Sequence, residues 1–134
     1  MDRKKFIKQT ADVVRRAYQF SIKSRKQDID ELDDDIDADA LIRSDVLELG
    51  MRLALESGDS EYINGILTGM ISREKDETAK RLKTIQKEAV LCIQKSFNSF
   101  ELFNTLFSYI DNKEKKEVRG LLTEDAFKNY FELY

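Results

Sequence analysis

No proline interrupts the 134 residues of this chain, and its apolar residues recur at intervals of three and four positions. One face of an α-helix repeats every 3.6 residues, so this spacing predicts amphipathic helices. The sequence contains no internal repeat and no credible strand. We therefore predict an all-α fold, an irregular bundle of about five to six helices.

The first predicted helix covers residues 6–25 and combines an apolar stripe with a face of lysine and arginine. The stripe consists of Phe6, Val13, Ala17 and Phe20. Apolar residues keep helical spacing in the acidic run that follows, at Ile29, Leu32 and Ile36, so we expect that run to form a helix face as well.

A further helix is predicted after this run, with Asp37 or Asp39 as its N-cap. Its stripe consists of Ile42, Val46, Leu49 and Leu53. Residues 57–60, Ser-Gly-Asp-Ser, supply a glycine that can end this helix and a polar residue that can cap the next one. This is the clearest turn that the sequence predicts.

For residues 61–97 the sequence predicts either one long helix or a disordered hairpin at residues 72–80, and we favour the long helix. Neither Gly nor Pro lies between Ile71 and Lys95, and the predicted length is on the order of 55 Å at 1.5 Å per residue. Since each half of such a helix would seek its packing partner in another chain, we expect that it promotes a swapped dimer.

After a break at residues 96–99, a further apolar stripe predicts another helix. This stripe consists of Phe100, Phe103, Leu106, Phe107 and Ile110. Residues 111–113 are predicted to close it, and Thr123 to begin a last short helix.

Charge changes sign abruptly along the first half of the chain. Residues 1–27 contain nine Lys/Arg and two Asp/Glu, whereas residues 28–61 contain thirteen Asp/Glu and two Arg. This pattern favours a surface that a charged partner recognises, although solvated helix faces are commonly as highly charged. It disfavours nucleic acid as that partner, because the acidic block would repel phosphate.

Few residues are candidates for catalysis or metal binding. The chain has no His, and its one cysteine, Cys92, lies on an apolar helix face, so we predict core packing for it, no enzymatic activity and no cofactor. The best register of a calcium-binding EF-hand loop begins at Asp35, Asp37 and Asp39. It places Ala40 where Gly is needed and Val46 where a bidentate Glu is needed, so we predict no metal site.

The sequence also predicts a soluble chain without a membrane span. Its longest apolar run, residues 89–93, is far shorter than the roughly 20 residues that a span needs. Residues 1–8 are basic but no apolar segment follows, so we expect no signal peptide. The pattern Gly65-x-x-x-Gly69 is interpreted as incidental or as a contact between soluble helices.

Three blocks of the sequence resemble the cytoplasmic parts of MotA-type flagellar stator subunits. Residues 24–36 resemble the family's basic pair and the acidic run after it. Residues 49–53 and 58–67 resemble its Gly-containing helix, its Asp-Pro-Glu turn and the next helix, and residues 86–110 resemble the tail after its last membrane span. The resemblance departs from the family at Ser60 and Ser99, where the family has Pro, and in lacking two membrane spans between the second and third blocks.

The resemblance implies that residues 1–77 correspond to the cytoplasmic loop and residues 78–134 to the C-terminal tail. Either two cytoplasmic pieces are joined directly or this is a natural relative without spans, and we favour the former. It further implies a full-length protein in the bacterial inner membrane, with this part on the cytoplasmic side. There, a ring of A subunits surrounds a pair of B subunits and couples ion flow to rotation of the flagellum.

The resemblance also implies a rotor contact at Arg25, Lys26 and Asp33, which would meet opposite charges on the C-terminal domain of the rotor protein FliG. Arg25 and Asp33 are eight positions apart, hence on nearly one face if the helix is continuous. Two other interpretations stay open: a free-standing acidic helical protein that binds cations or a basic partner, and a fragment of an ExbB/TolQ-type channel subunit.

Overall fold

The computed structural model describes residues 1–25 and 45–132, with side chains to residue 130. The described residues form seven α-helices and no strand, so the predicted all-α fold is confirmed. The helices are α1 (Arg3–Arg25), α2 (Val46–Glu56), α3 (Ser60–Ser72), α4 (Glu77–Gln94), α5 (Ser99–Phe107), α6 (Asn112–Leu121) and α7 (Asp125–Glu132).

Helix α4 lies at the centre of the bundle and packs against α1, α2, α3 and α5. One hydrophobic core contains residues from all seven helices, so it draws on both sides of the predicted boundary between residues 77 and 78. The predicted stripe of α1 is buried, with Phe6, Val14 and Ala17 fully inside. The division into two regions stays a prediction.

The short helix α7 is held to the bundle by aromatic packing. The ring of Phe127 lies 5.4 Å from that of Tyr18 on α1 and 5.3 Å from that of Phe103 on α5, measured between centroids. Aromatic pairs at this separation stabilise beyond the area they bury. They therefore fix an element that is only eight residues long.

Local signals in the sequence correctly predict several helix ends. Gly58 has a φ of +70°, and the side chain of Asp59 accepts hydrogen bonds from the backbone N–H groups of residues 61 and 62. Asn98 forms a reciprocal capping box with Glu101 at the start of α5. The predicted turns at residues 57–60 and 96–99 are therefore confirmed.

The single long helix predicted for residues 61–97 is wrong. The chain turns at residues 73–76, between α3 and α4, and the two helices pack against each other in the same molecule. The apolar stripes of α3 and α4, which include Ile63, Leu67, Ile85 and Ala89, enter one core. A continuous helix could not bring them together, and the packing removes the reason that we gave for a swapped dimer.

This turn forms without Gly or Pro. Oε2 of Glu74 accepts hydrogen bonds from the backbone N–H groups of Lys75 and Asp76, at 3.0 and 3.2 Å, and Nζ of Lys83 lies 3.1 Å from Oε1 of Glu74. The bonds to these N–H groups and to Lys83 lower the pKa of Glu74. A side chain thus satisfies donors that a turn would otherwise leave open.

Other helix boundaries also differ from the predictions. Helix α5 ends at Phe107, before the residues 111–113 that were predicted to close it, and residues 112 and 113 belong to α6. Helix α2 is capped by Asp45, whose Oδ1 accepts from the N–H of Glu48 at 3.1 Å, rather than by Asp37 or Asp39. Helix α6 was not predicted at all. Its apolar content is low, with Val118 fully buried, and its stability comes from a capping box between Asp111 and Glu114 and from charged contacts.

Candidate interaction surfaces

Much of the basic charge on α1 is compensated within the fold. Arg16 pairs with Glu48 and Asp45 of the acidic block, at 2.5 and 3.6 Å. Arg15 donates from Nε to Glu124 at 2.5 Å and from Nη2 to the carbonyl of residue 121 at 2.9 Å. The change of sign in the sequence therefore serves partly to join helices.

Arg25, the first of the three predicted rotor-contact residues, is the last residue of α1 and is exposed. Its Nε donates to the carbonyl oxygen of Ser21 and its Nη2 to Oγ of Ser99, both at 3.3 Å, which is long for such bonds. No carboxylate of the described residues lies within ion-pair distance of it. Its charge is thus compensated only by two weak neutral contacts in this part of the chain.

Lys26 and Asp33 lie outside the described residues, as do the acidic positions tested for an EF-hand. The predicted common face of Arg25 and Asp33 therefore stays a prediction. The helices on both sides of residues 26–44 are fixed, because Phe20 of α1 and Leu47 of α2 lie in the core. Arg25 is consequently held at a defined place on the surface, at the N-terminal end of α5.

Cys92 lies in the core, as predicted, with 3% of its surface exposed. Burial raises the pKa of its thiol, which disfavours the reactive thiolate form. Among the described residues no group of three or more Cys, Asp and Glu side chains could hold a metal ion, and none of the described helices is long and apolar enough to span a membrane.

Among the described residues, one carboxylate is buried. Glu114 on α6 is 5% exposed and receives two parallel hydrogen bonds from Arg81 on α4, Nη1 to Oε1 at 2.8 Å and Nη2 to Oε2 at 2.6 Å. The bond from Arg81 lowers the pKa of Glu114. The guanidinium also lies over the ring of Phe6, 4.2 Å from its centroid. This arrangement ties α1, α4 and α6 together, so its role is structural.

A groove with a volume of about 490 Å³ lies between α5, α6 and α7. Its lining residues are Asn104, Phe107, Ser108, Asn112, Lys115, Lys116, Arg119 and Tyr130. The rings of Phe107 and Tyr130 are stacked, with centroids 5.9 Å apart and planes at 18°. The hydroxyl of Tyr130 donates to Oδ1 of Asn104 at 3.1 Å. The groove thus combines aromatic rings, amides and cations.

Our sequence reasoning missed this groove, because it assigned no helix to the segment that forms α6. A signal was present: Asn112, Lys115, Lys116 and Arg119 are spaced as i, i+3, i+4 and i+7, which places them on one helix face. The groove beside that face cannot be predicted without knowing which helices lie next to it. The arrangement of these helices depends on contacts between residues that are far apart in the sequence.

The described residues form a small all-α bundle. Its candidate sites lie on the surface rather than in a buried polar cavity. Comparison with protein-family models, with curated proteins and with solved structures found no match.

Proposed function

We propose that this chain is a noncatalytic interaction module, the cytoplasmic part of a flagellar stator A subunit of the MotA type. It contacts the C-terminal domain of the rotor protein FliG through Arg25, Lys26 and Asp33. The contact transmits torque that ion flow through the membrane part of the full-length subunit generates. There the subunit assembles in a ring with the B subunits.

The observation that carries the proposal is the state of Arg25. This residue is exposed, at the end of a helix anchored in the core, and its charge has no carboxylate partner among the described residues. The other arginines of α1, namely Arg3, Arg15 and Arg16, form ion pairs with Glu117, Glu124 and Glu48. Arg25 is thus the arginine of α1 that forms no ion pair with a described carboxylate.

The strength of such a contact suits a motor. Exposed ion pairs contribute about 0.2–1 kcal/mol each, so a contact made by a few of them forms and breaks easily. Attraction between opposite charges mainly accelerates association and sets specificity. A stator that engages successive rotor subunits needs a contact of this kind.

The proposal is tested by calorimetric titration of the chain with the purified C-terminal domain of FliG. We expect weak binding that declines as salt rises, since screening acts strongly on exposed charges. Arg25→Glu replaces one attraction with a repulsion of similar size and should weaken binding about three- to tenfold.

Lys8→Glu is the matched control, because Lys8 is exposed on the same helix but far from Arg25. It changes the net charge by the same amount and should leave the affinity within about twofold. The proposal fails if the unaltered chain does not bind at low salt. It also fails if both variants weaken binding equally, which would indicate only a dependence on net charge.

A further inference from the structure

Helix α3 packs against α2 and α4 on one side and exposes an almost uncharged face on the other. Its buried side includes Ile63 and Leu67. On the solvent side, Tyr62 and Ile66 are 52% and 40% exposed. Glu61 is the one charged residue among the 13 of this helix, although 37% of the residues in the chain are charged. Burying such a face against a partner removes little charge from water, so its desolvation is inexpensive.

Two glycines occupy the centre of this face. Gly65 and Gly69 are four residues apart and lie opposite the buried stripe of the helix. A Cβ added at either position would meet no neighbouring side chain or helix within 4 Å. Glycine weakens a helix relative to alanine, and no contact inside the chain requires it at these two positions. The missing side chains leave a shallow furrow, here called the glycine groove, beside the row that contains Tyr62 and Ile66.

The two ends of this face carry opposite charges. Glu61 lies in the first turn of α3 and Arg73 is its C-cap. Both side chains are exposed, and neither forms an ion pair with a described residue. Glu61 and Arg73 are equally far from Leu67 in sequence, as are Gly65 and Gly69. These four positions follow one row of i, i+4 spacing, and rows of this kind run side by side in the commonest class of helix packing.

This symmetry matches the face to a copy of itself. In an antiparallel pair of α3 helices, related by a twofold axis at the level of Leu67, Glu61 of each copy faces Arg73 of the other. The two glycine grooves coincide, which permits close approach of the helices. The helix dipoles also run in opposite directions, which is favourable. A second copy of the chain thus supplies an uncharged face, a groove and opposite charges at matching positions.

From this arrangement we infer that α3 is a homodimerisation face, which binds α3 of a second copy in antiparallel orientation. Tyr62 and Ile66 of each copy pack along the glycine groove of the other, and two ion pairs between Glu61 and Arg73 close the ends. The dimer contact and the proposed rotor contact share no residue, so either can fail without the other.

Sedimentation velocity of the full chain at increasing concentration tests the inference. Helix α3 is about 20 Å long at 1.5 Å per residue. One such helix pair buries less than the roughly 1,200 Å² of a stable interface, so we expect a dissociation constant on the order of 0.1 mM. The chain should be monomeric at about 10 µM and largely dimeric at about 1 mM. A chain that stays monomeric at the higher concentration, or that assembles beyond the dimer, would overturn the inference.

The double variant Gly65→Ala with Gly69→Ala tests the glycine groove. It fills the groove in both copies and should weaken dimerisation about tenfold or more. Because alanine strengthens the helix within each chain, loss of folding would not explain this effect. Gly120→Ala is the matched control, since Gly120 on α6 is exposed and a Cβ added there also meets nothing within 4 Å. It should leave dimerisation within about twofold, and equal losses in the two variants would contradict the groove contact.

An exchange of the end charges tests the antiparallel register. Glu61→Arg alone places like charges together at both ends of the dimer and should weaken dimerisation about tenfold. Addition of Arg73→Glu restores opposite charges in the reverse order and should return the affinity to within about threefold of the unaltered chain. Circular dichroism checks that each variant is folded. An affinity that the second substitution does not recover would contradict the register.

Discussion

At the scale of single residues, the contact between Arg81 and Glu114 shows how a charged pair can be held inside a small bundle. Both carboxylate oxygens receive bonds from the guanidinium, and Oε1 also accepts from the backbone N–H of Asp111 at 2.9 Å. The guanidinium in turn packs on the ring of Phe6. Such a pair is costly to break, because removing one partner leaves a buried charge without compensation.

We predict that Glu114→Gln lowers the free energy of unfolding by about 2 kcal/mol at neutral pH, less than the full cost of breaking a buried pair because Arg81 is partly exposed. The measurement is urea denaturation followed by circular dichroism. Glu117→Gln is the control on the same helix, since Glu117 pairs with Arg3 at the surface, and should cost less than about 1 kcal/mol. Equal effects of the two changes would contradict this account of Glu114.

The same pair predicts a dependence of stability on pH. The folded-state pKa of Glu114 lies below its ordinary value of 4.5, so its contribution is fully present above that value and is lost as pH falls through the folded-state pKa. The unaltered chain should therefore lose stability in acid more steeply than Glu114→Gln does. Parallel curves for the two proteins would contradict the assignment.

At the scale of elements, two glycines in neighbouring helices have opposite surroundings. A Cβ added to Gly50 on α2 would lie 2.5 Å from Cγ2 of Val90 and 3.1 Å from Cδ1 of Leu67. Val90 is fully buried and its side chain is stiff, so it cannot move aside cheaply. Gly65 on α3 has nothing within 4 Å of the same position. Gly50 thus permits α2 to approach α4 closely, whereas Gly65 has no such role in this molecule.

We predict that Gly50→Ala lowers the free energy of unfolding by about 1–2 kcal/mol, since overpacking exceeds the gain in helix propensity. Gly65→Ala should raise it by about 0.5–1 kcal/mol, because there only the propensity changes. Chemical denaturation of the two variants beside the unaltered chain checks both signs. A gain in stability for Gly50→Ala would show that α2 and α4 are not in close contact.

The turn between α3 and α4 shows what local signals leave out. Residues 72–80 contain neither Gly nor Pro, and on local signals alone this predicts a continuous helix. Asp76, at the N-cap of α4, and Glu77 in its first turn are a signal for a helix start that is present in the sequence. The contribution that favours a turn over a continuous helix is the burial of both apolar stripes in one core. This burial depends on the other helices.

At the scale of the whole molecule, helical spacing was sufficient to predict the all-α class and much of α1. It could not predict the arrangement of helices, because ion pairs such as Arg15 with Glu124 join residues 109 positions apart. Any of many acidic residues could have paired with Arg15 on sequence grounds alone. Of the predicted rotor-contact residues, the structure describes Arg25. It also shows a groove lined by a basic face of α6, and the spacing of residues in that segment predicts the face but not the helices beside it.

The central claim, that the surface around Arg25 meets the rotor, is tested most directly by NMR titration of the ¹⁵N-labelled chain with the C-terminal domain of FliG. The account predicts that the largest shift changes fall on the amides of the C-terminal turn of α1, of residues 26–44 and of the start of α5 near Ser99. It predicts little change at α6. Changes confined to the groove between α5, α6 and α7, or no changes at low salt, would contradict it.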